Sequence, residues 1–367
     1  DSIGFHYYDL PNTQWVFINA SGYATDTTAW KLTGNNNATS ASFLGTLNDT
    51  ALRFRVRNTP SGIVDSASGN TTLGFNSNAG ITTGLNNTFL GFRAGVLNDT
   101  TSNSTFIGFY AGERNRNNNN VAVGAQAGRY YSITNNSTTE MTSVGTEAGH
   151  GAFVNPKSTA IGFRALYSRQ GGSLHGNSTG RNTAVGDSAM AWAGFGQSNV
   201  AIGTNALGIV DNGNFNVAIG DSSMAGALNT DGNVAIGYKS LSKQQGQGYN
   251  TAVGYYSQRD SSKSTYYNTS IGAYSMEFNR TGIYNTGLGL SAMRNADSTS
   301  YNTAIGADAM AAEREHRLAV VQRAGTHAQP AQDAAVEVQQ HVGVAGVHRA
   351  VGIELLEVRA FHAHLVG

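Results

Sequence analysis

The amino-acid sequence predicts an all-β fold, a parallel β-solenoid (β-roll) of about fourteen 17-residue turns. The phrase Asn-(Thr/Val)-Ala-(Ile/Val)-Gly recurs along the chain, and weaker copies extend it towards the N terminus. From Gly186 to Gly306 the glycines that end each phrase are 17 or 18 residues apart. Glycine accounts for 46 of the 367 residues, whereas only 13% of the residues are charged. This composition suits short stacked strands joined by tight turns.

Each copy of the phrase predicts one short strand, because β-branched residues dominate the positions before its glycine. Side chains alternate across a strand, so in one copy Val200 and Ile202 share a bulky face. The opposite face carries only the small residues Asn199, Ala201 and Gly203. We expect the bulky face to be buried and a second chain to cover one of the two faces. The predicted repeat core comprises Val185, Ile202, Ile219, Ile236, Val253, Ile271, Leu288 and Ile305.

The glycine that ends each phrase is expected to form a corner of the turn, where a Cβ would clash or φ must be positive. In the eight clearest copies the repeat glycines are Gly186, Gly203, Gly220, Gly237, Gly254, Gly272, Gly289 and Gly306. Two inserts, around residues 130–140 and 167–181, lie between phrases and are expected to form loops on one face. Their candidate binding side chains are Tyr130, Tyr131, Tyr167, Arg169 and Arg181.

Composition divides the chain into three segments. Residues 1–60 are aromatic-rich and include Trp15 and Trp30, which predicts an N-terminal cap that shields the first turn. Such a surface would also suit sugar binding. Residues 61–310 form the predicted β-roll repeat domain. Residues 311–367 form a non-repeat tail rich in Ala, Val and His, with six of the nine histidines, and the sequence leaves open both its structure and whether it is native.

The repeated phrase, followed by Ala-Met or Ala-Leu, resembles the head repeats of trimeric autotransporter adhesins. The longer period, with a tyrosine before the Asn at Tyr249, Tyr267, Tyr284 and Tyr301, is closer to bacterial and phage surface proteins of the tail-fibre-domain type. Segments 30–35, 42–46 and 52–56 are also similar to the sequence that precedes the repeats in those proteins. The resemblance covers roughly residues 28–310. It implies a left-handed roll in which three chains lie side by side.

Charge and motifs argue against several function classes. Lys plus Arg and Asp plus Glu both number 23, so neither a nucleic-acid footprint nor a polybasic membrane anchor is predicted. No apolar run is long enough for a transmembrane helix. We find no paired carboxylates, nucleophile elbow or phosphate loop, and the tail histidines match no zinc signature. The sequence therefore predicts no enzyme, no catalytic residue, no cofactor and no metal.

The leading functional hypothesis is an extracellular structural or adhesive rod, at a cell surface or in a phage tail fibre. It would be a homotrimer whose loops bind a host-cell glycan or surface protein, with avidity gained from many weak contacts. The alternative is a self-assembling extracellular filament subunit without a specific ligand, because strand edges at the ends of a solenoid invite stacking. An ice-binding array is disfavoured, since the Thr column alternates with Val, as in Thr183 and Val200.

Overall fold

The structure is a computed structural model. It describes residues 39–80, 83–129, 140–151, 157–167, 180–191, 196–209, 213–226, 228–246, 248–261, 265–295 and 297–311 with their side chains, and the backbone of four further strands at 4–9, 14–19, 319–323 and 337–339. Every regular element in these described ranges is a β-strand, and none is a helix. The predicted all-β class is therefore confirmed.

Fourteen short strands stack on one another and form the body of the fold. They are β5 (Asn70–Leu73), β6 (Thr88–Leu90), β7 (Thr105–Ile107), β8 (Val121–Val123), β9 (Thr142–Val144), β10 (Thr159–Ile161), β11 (Thr183–Val185), β12 (Val200–Ile202), β13 (Val217–Ile219), β14 (Val234–Ile236), β15 (Thr251–Val253), β16 (Thr269–Ile271), β17 (Thr286–Leu288) and β18 (Asn302–Ile305). Neighbours pair in parallel and in register, so that Ala201 lies opposite Ala218.

The spacing of these strands confirms the predicted parallel β-solenoid. Eleven of the thirteen intervals between the last residues of consecutive strands are 16 to 18 residues long, and the other two are 21 and 24. The long intervals follow β8 and β10, so both predicted inserts lie between strands. At about 4.8 Å per parallel strand, the stack is about 60 Å long.

Antiparallel strands flank the parallel stack at both ends. Before it, β3 (Leu52–Val56) and β4 (Thr59–Asp65) form a hairpin that pairs with β5. After it, β19 (Ala319–Arg323) pairs with β18, and β20 (Glu337–Gln339) pairs with β19. A separate hairpin consists of β1 (Gly4–Asp9) and β2 (Gln14–Asn19).

In the later strands the small face lines the interior of the solenoid, and the bulky face lies outside. Ala201 is fully buried, whereas its neighbour Ile202 keeps 39% of its surface exposed. The segment opposite the strand contributes a large buried side chain, which is Leu207 in this turn and Met224 in the next. The narrow interior has no room for a second large side chain from the strand itself. The predicted repeat core is therefore wrong for the single chain. Its members lie on the outer face: Val185, Ile202, Ile219, Ile236, Val253, Ile271, Leu288 and Ile305.

A ladder of buried asparagines runs along one side of the interior. The Asn216 Nδ2 donates to Asn199 Oδ1 at 3.1 Å and to the Thr230 carbonyl at 2.7 Å. Its Oδ1 accepts from the backbone N–H and the Nδ2 of Asn233 at 2.9 and 3.0 Å. Each ladder Asn thus satisfies polar groups of its own turn and of both neighbours, which is how a buried amide avoids an unpaired donor or acceptor.

The repeat glycines close each strand at a corner, as predicted. In the eight clearest copies their φ angles lie between +123° and +136°, a region that only glycine adopts readily. A Cβ on Gly220 would also come within 2.8 Å of the carbonyl group of Gly237 in the next turn. Both the conformation and the close stacking of turns therefore require glycine at this corner.

Two different pairs of residues fill the interior in different parts of the stack. In the early turns, Phe89 and Phe106 point inward and stack at 4.8 Å, and each faces a glycine across the turn. A Cβ on Gly112 would overlap the Phe106 ring. In a later turn the strand contributes Ala201, and the residue equivalent to Gly112 is the buried Leu207. In both of these turns the strand and the segment opposite it are thus complementary in size.

Candidate binding surface

An uninterrupted column of aliphatic side chains runs along the outer face of the sheet. It is formed by the last residue of each of the strands β5 to β18, namely Leu73, Leu90, Ile107, Val123, Val144, Ile161, Val185, Ile202, Ile219, Ile236, Val253, Ile271, Leu288 and Ile305, and is called the outer column below. Nine of these side chains are exposed and five are half-buried. An exposed apolar stripe of this length is typical of an interaction surface.

A tyrosine ladder lies at the other end of the strands, one residue before the buried asparagines. Tyr249, Tyr267, Tyr284 and Tyr301 stack with ring centroids 5.0 to 5.4 Å apart and interplanar angles of 12 to 18°. Burial among these neighbours raises the pKa of the Tyr284 hydroxyl. Because the stacked rings cover each other's faces, mainly their edges are available to a partner.

The turns that follow β14 to β17 carry a patch of arginines and tyrosines. Its centre is the carboxylate of Glu277, which is 3% exposed and pairs with Arg259 at 3.0 Å and with Arg294 at 2.8 Å. The Arg259 guanidinium lies 4.6 Å from the ring centroid of Tyr256, and that of Arg294 lies 4.9 Å from the ring of Tyr274. These are cation–π distances. We call this surface the Arg–Tyr patch; it also includes Tyr238, Lys239 and Tyr255.

Hydrogen bonds among the hydroxyls of the Arg–Tyr patch separate their pKa values. The bond between Tyr255 and Tyr256 raises the pKa of Tyr255 to about 12 and lowers the pKa of Tyr256, which Lys239 lowers further. A hydrogen bond with Tyr238 raises the pKa of Lys239. At neutral pH the lysine is therefore charged. Two cationic side chains, Arg259 and Arg294, thus flank the buried Glu277 carboxylate, and Lys239 lies on the ring of Tyr238.

A related arrangement occurs in the early turns. Phe75, Phe92 and Phe109 stack with centroids 5.6 to 5.9 Å apart. The Arg93 and Arg129 guanidiniums lie 5.0 and 5.2 Å from the ring of Tyr110. Aromatic and cationic side chains thus share a surface in two separate parts of the rod.

The structure describes two of the five predicted loop residues. Tyr130, Tyr131 and Arg169 lie outside the described residues. Tyr167 is half-buried and stacks on His150 at 5.2 Å. Arg181 is exposed and directly precedes a ladder asparagine. Tyr167 and Arg181 occupy different columns of the repeat.

Sequence reasoning missed the Arg–Tyr patch, although a signal for it was present. Arg259, Glu277 and Arg294 each follow a repeat glycine by five residues, so stacking in register brings them together. Writing the turns in columns of the repeat would have placed the three charges side by side. Within any one copy of the repeat, only one of these three charged residues is present.

Within the described ranges, no group of three or more His, Asp or Glu side chains is arranged to hold a metal ion. The same ranges contain no helix with the length and apolarity needed to cross a membrane. Comparison of the chain with models of known protein families, with curated proteins and with solved structures finds no match. The fold therefore rests on the strand pairing of this chain, and the resemblance to adhesin heads and tail-fibre-domain proteins stays a prediction.

Proposed function

We propose that this protein is an extracellular structural rod that associates side by side with copies of itself and presents attachment surfaces to a cell-surface partner. The observation that carries the proposal is the outer column, whose aliphatic side chains are exposed or half-buried over the whole stack from Leu73 to Ile305. A β-solenoid is an architecture typical of structural proteins. Three copies is the number that the sequence resemblance implies.

Covering the outer column would release substantial free energy. An Ile or Leu side chain gains about 1.5–3 kcal/mol when it is fully buried. With roughly 40% of each exposed side chain still to be covered, each contributes about 1 kcal/mol. The nine exposed side chains then favour association by on the order of 10 kcal/mol per chain, before the entropic cost of association.

Light scattering on a sizing column tests the association with the full chain. We expect a mass about three times the 38.5 kDa of one chain. Ile219→Asp combined with Ile236→Asp should lower that mass to one chain, because two carboxylates would have to be buried in the contact. The matched control is Thr204→Asp, since equivalent turns already carry an aspartate at this exposed position, as Asp187 and Asp221 show. A stable monomer before any substitution would refute the side-by-side proposal.

The alternative is a filament subunit that stacks end to end. The antiparallel hairpin β3–β4 before the parallel stack, and β19 after it, count against this alternative. Neither end presents a repeat strand to which an identical stack could add in parallel register. Negative-stain microscopy should accordingly show discrete rods, and long filaments would favour the alternative instead.

A further inference from the structure

A cavity of about 390 Å³ lies at the N-terminal end of the solenoid, between the hairpin β3–β4 and the first turn. Three polar side chains of that turn, Thr72, Ser77 and Asn78, line it. Thr72 and Ser77 are 3% and 2% exposed. The Thr72 Oγ1, the Ser77 Oγ and the Asn78 Oδ1 are all buried and form no hydrogen bond with the described residues.

Most other turns carry apolar residues at these three positions, although serine recurs at the position of Ser77 in four turns and at that of Thr72 in two. The position of Thr72 is taken by Ala201 in a later turn, and the position of Asn78 is taken by Leu207. Ser77 likewise corresponds to an alanine there. A buried polar atom without a partner destabilises a fold, and each such atom calls for an explanation. Three of them around one cavity indicate that a polar ligand completes their hydrogen bonds.

The mouth of the cavity carries an excess of positive charge. Arg53, Arg55 and Asp65 line it. The Asp65 carboxylate already accepts hydrogen bonds from the Ser68 hydroxyl at 2.7 Å and from the Ala67 N–H at 3.1 Å. Two guanidinium groups thus line the cavity beside one carboxylate, and the Arg55 Nη1 also donates to the Asn58 Oδ1 at 2.7 Å. Guanidinium pairs best with a carboxylate or a similar planar anion.

An aromatic side chain also lines the cavity, beside its polar and charged groups. Phe54 is half-buried and lines the same cavity. An aromatic ring beside hydroxyl and amide groups suits a ligand with one C–H-rich face and several hydroxyls. Such a ligand is a sugar ring, and the arginines add a requirement for negative charge.

We propose that this cavity binds a carboxylate-bearing monosaccharide unit of a surface glycan. The sugar hydroxyls hydrogen-bond to Thr72, Ser77 and Asn78, and the sugar carboxylate pairs with the arginines at the mouth. This inference rests on the proposed adhesive function and names a ligand class and a site for it. The site lies at one end of the rod, and not in the two inserts.

Isothermal titration of the full chain with methyl glucuronide, and with methyl glucoside as the neutral analogue, tests the site. We expect the glucuronide to bind at least about tenfold more tightly, since one charge-assisted hydrogen bond accounts for that factor. Arg53→Gln, an exposed position, should remove this preference for the charged sugar. The combined variant Thr72→Ala, Ser77→Ala and Asn78→Leu should abolish binding of both sugars and leave the melting temperature unchanged or higher.

The control variant is Lys239→Gln in the Arg–Tyr patch, which should leave both affinities unchanged. Absence of glucuronide binding, or unchanged binding by the combined variant, would overturn the proposal and indicate that the cavity holds only water. Loss of binding in the Lys239→Gln variant would also overturn it, because the sugar would then sit on the Arg–Tyr patch. Mass measurements on the same samples distinguish failure of the sugar site from failure of the proposed rod function, because association through the outer column does not require the cavity.

Discussion

Replacing Phe106 and Gly112 together tests how the interior of the solenoid is filled. Phe106 is fully buried and stacks on Phe89, and it occupies the space that a side chain at residue 112 would need. Phe106→Ala alone should lower the free energy of unfolding by about 4 kcal/mol, through lost burial and the cavity left behind. Gly112→Leu alone should cost at least about 3 kcal/mol, because the new side chain overlaps the ring.

The double variant reproduces the pair Ala201 and Leu207 of a later turn. Leu207 adopts φ of 48° and Gly112 adopts φ of 62°, so the backbone at residue 112 already suits a leucine of this kind. A non-glycine residue in this region costs about 1–2 kcal/mol. We therefore expect the double variant to be about 2 kcal/mol less stable than the native chain, and more stable than either single variant.

Guanidinium unfolding followed by circular dichroism measures these free energies as a double-mutant cycle. The reciprocal exchange, Ala201→Phe with Leu207→Gly, is the matched control and should show the same favourable coupling. Additive losses in both cycles would refute the idea that the two walls of a turn compensate in size.

Three further predictions concern single positions. Asn216→Ala should lower the free energy of unfolding by about 4 kcal/mol, because the Asn216 side chain makes four buried hydrogen bonds of about 1 kcal/mol each. Denaturant unfolding measures this loss, and a loss below about 1 kcal/mol would contradict the prediction. Gly220→Ala should lower the melting temperature more than Gly306→Ala does. Both glycines have φ near +124°, but only the Cβ on residue 220 would clash with the next turn, since nothing lies within 4 Å of a Cβ on Gly306. Equal losses would show that backbone strain alone determines the effect. Burial lowers the pKa of His150, so stability should fall as pH decreases below about 6.5, where the unfolded chain binds the proton first. His150→Phe, which keeps a ring beside Tyr167, should remove this pH dependence in urea unfolding at pH 7.5 and 5.5, and an unchanged dependence would exclude His150 as its source.

The candidate surfaces could be foreseen only in part. Tyr249 and its equivalents were visible in the sequence as a column, and the structure stacks them. The Arg–Tyr patch and the polar cavity near Thr72 depend on contacts between turns and with the hairpin β3–β4. Such contacts join residues far apart in sequence, so no local pattern of one copy indicates them.

The sequence alone determined the solenoid, its period and its corners. A β-branched phrase that ends in glycine every 17 residues predicts a conformation that repeats, and parallel pairing then follows from similar turns stacked in register. Only the tertiary structure decided which face of each strand lies inside. Alternation fixes which residues share a face, and it does not say which face meets the opposite wall. That wall carries Leu207 in one turn, so Ala201 lies inside and Ile202 lies on the outer face.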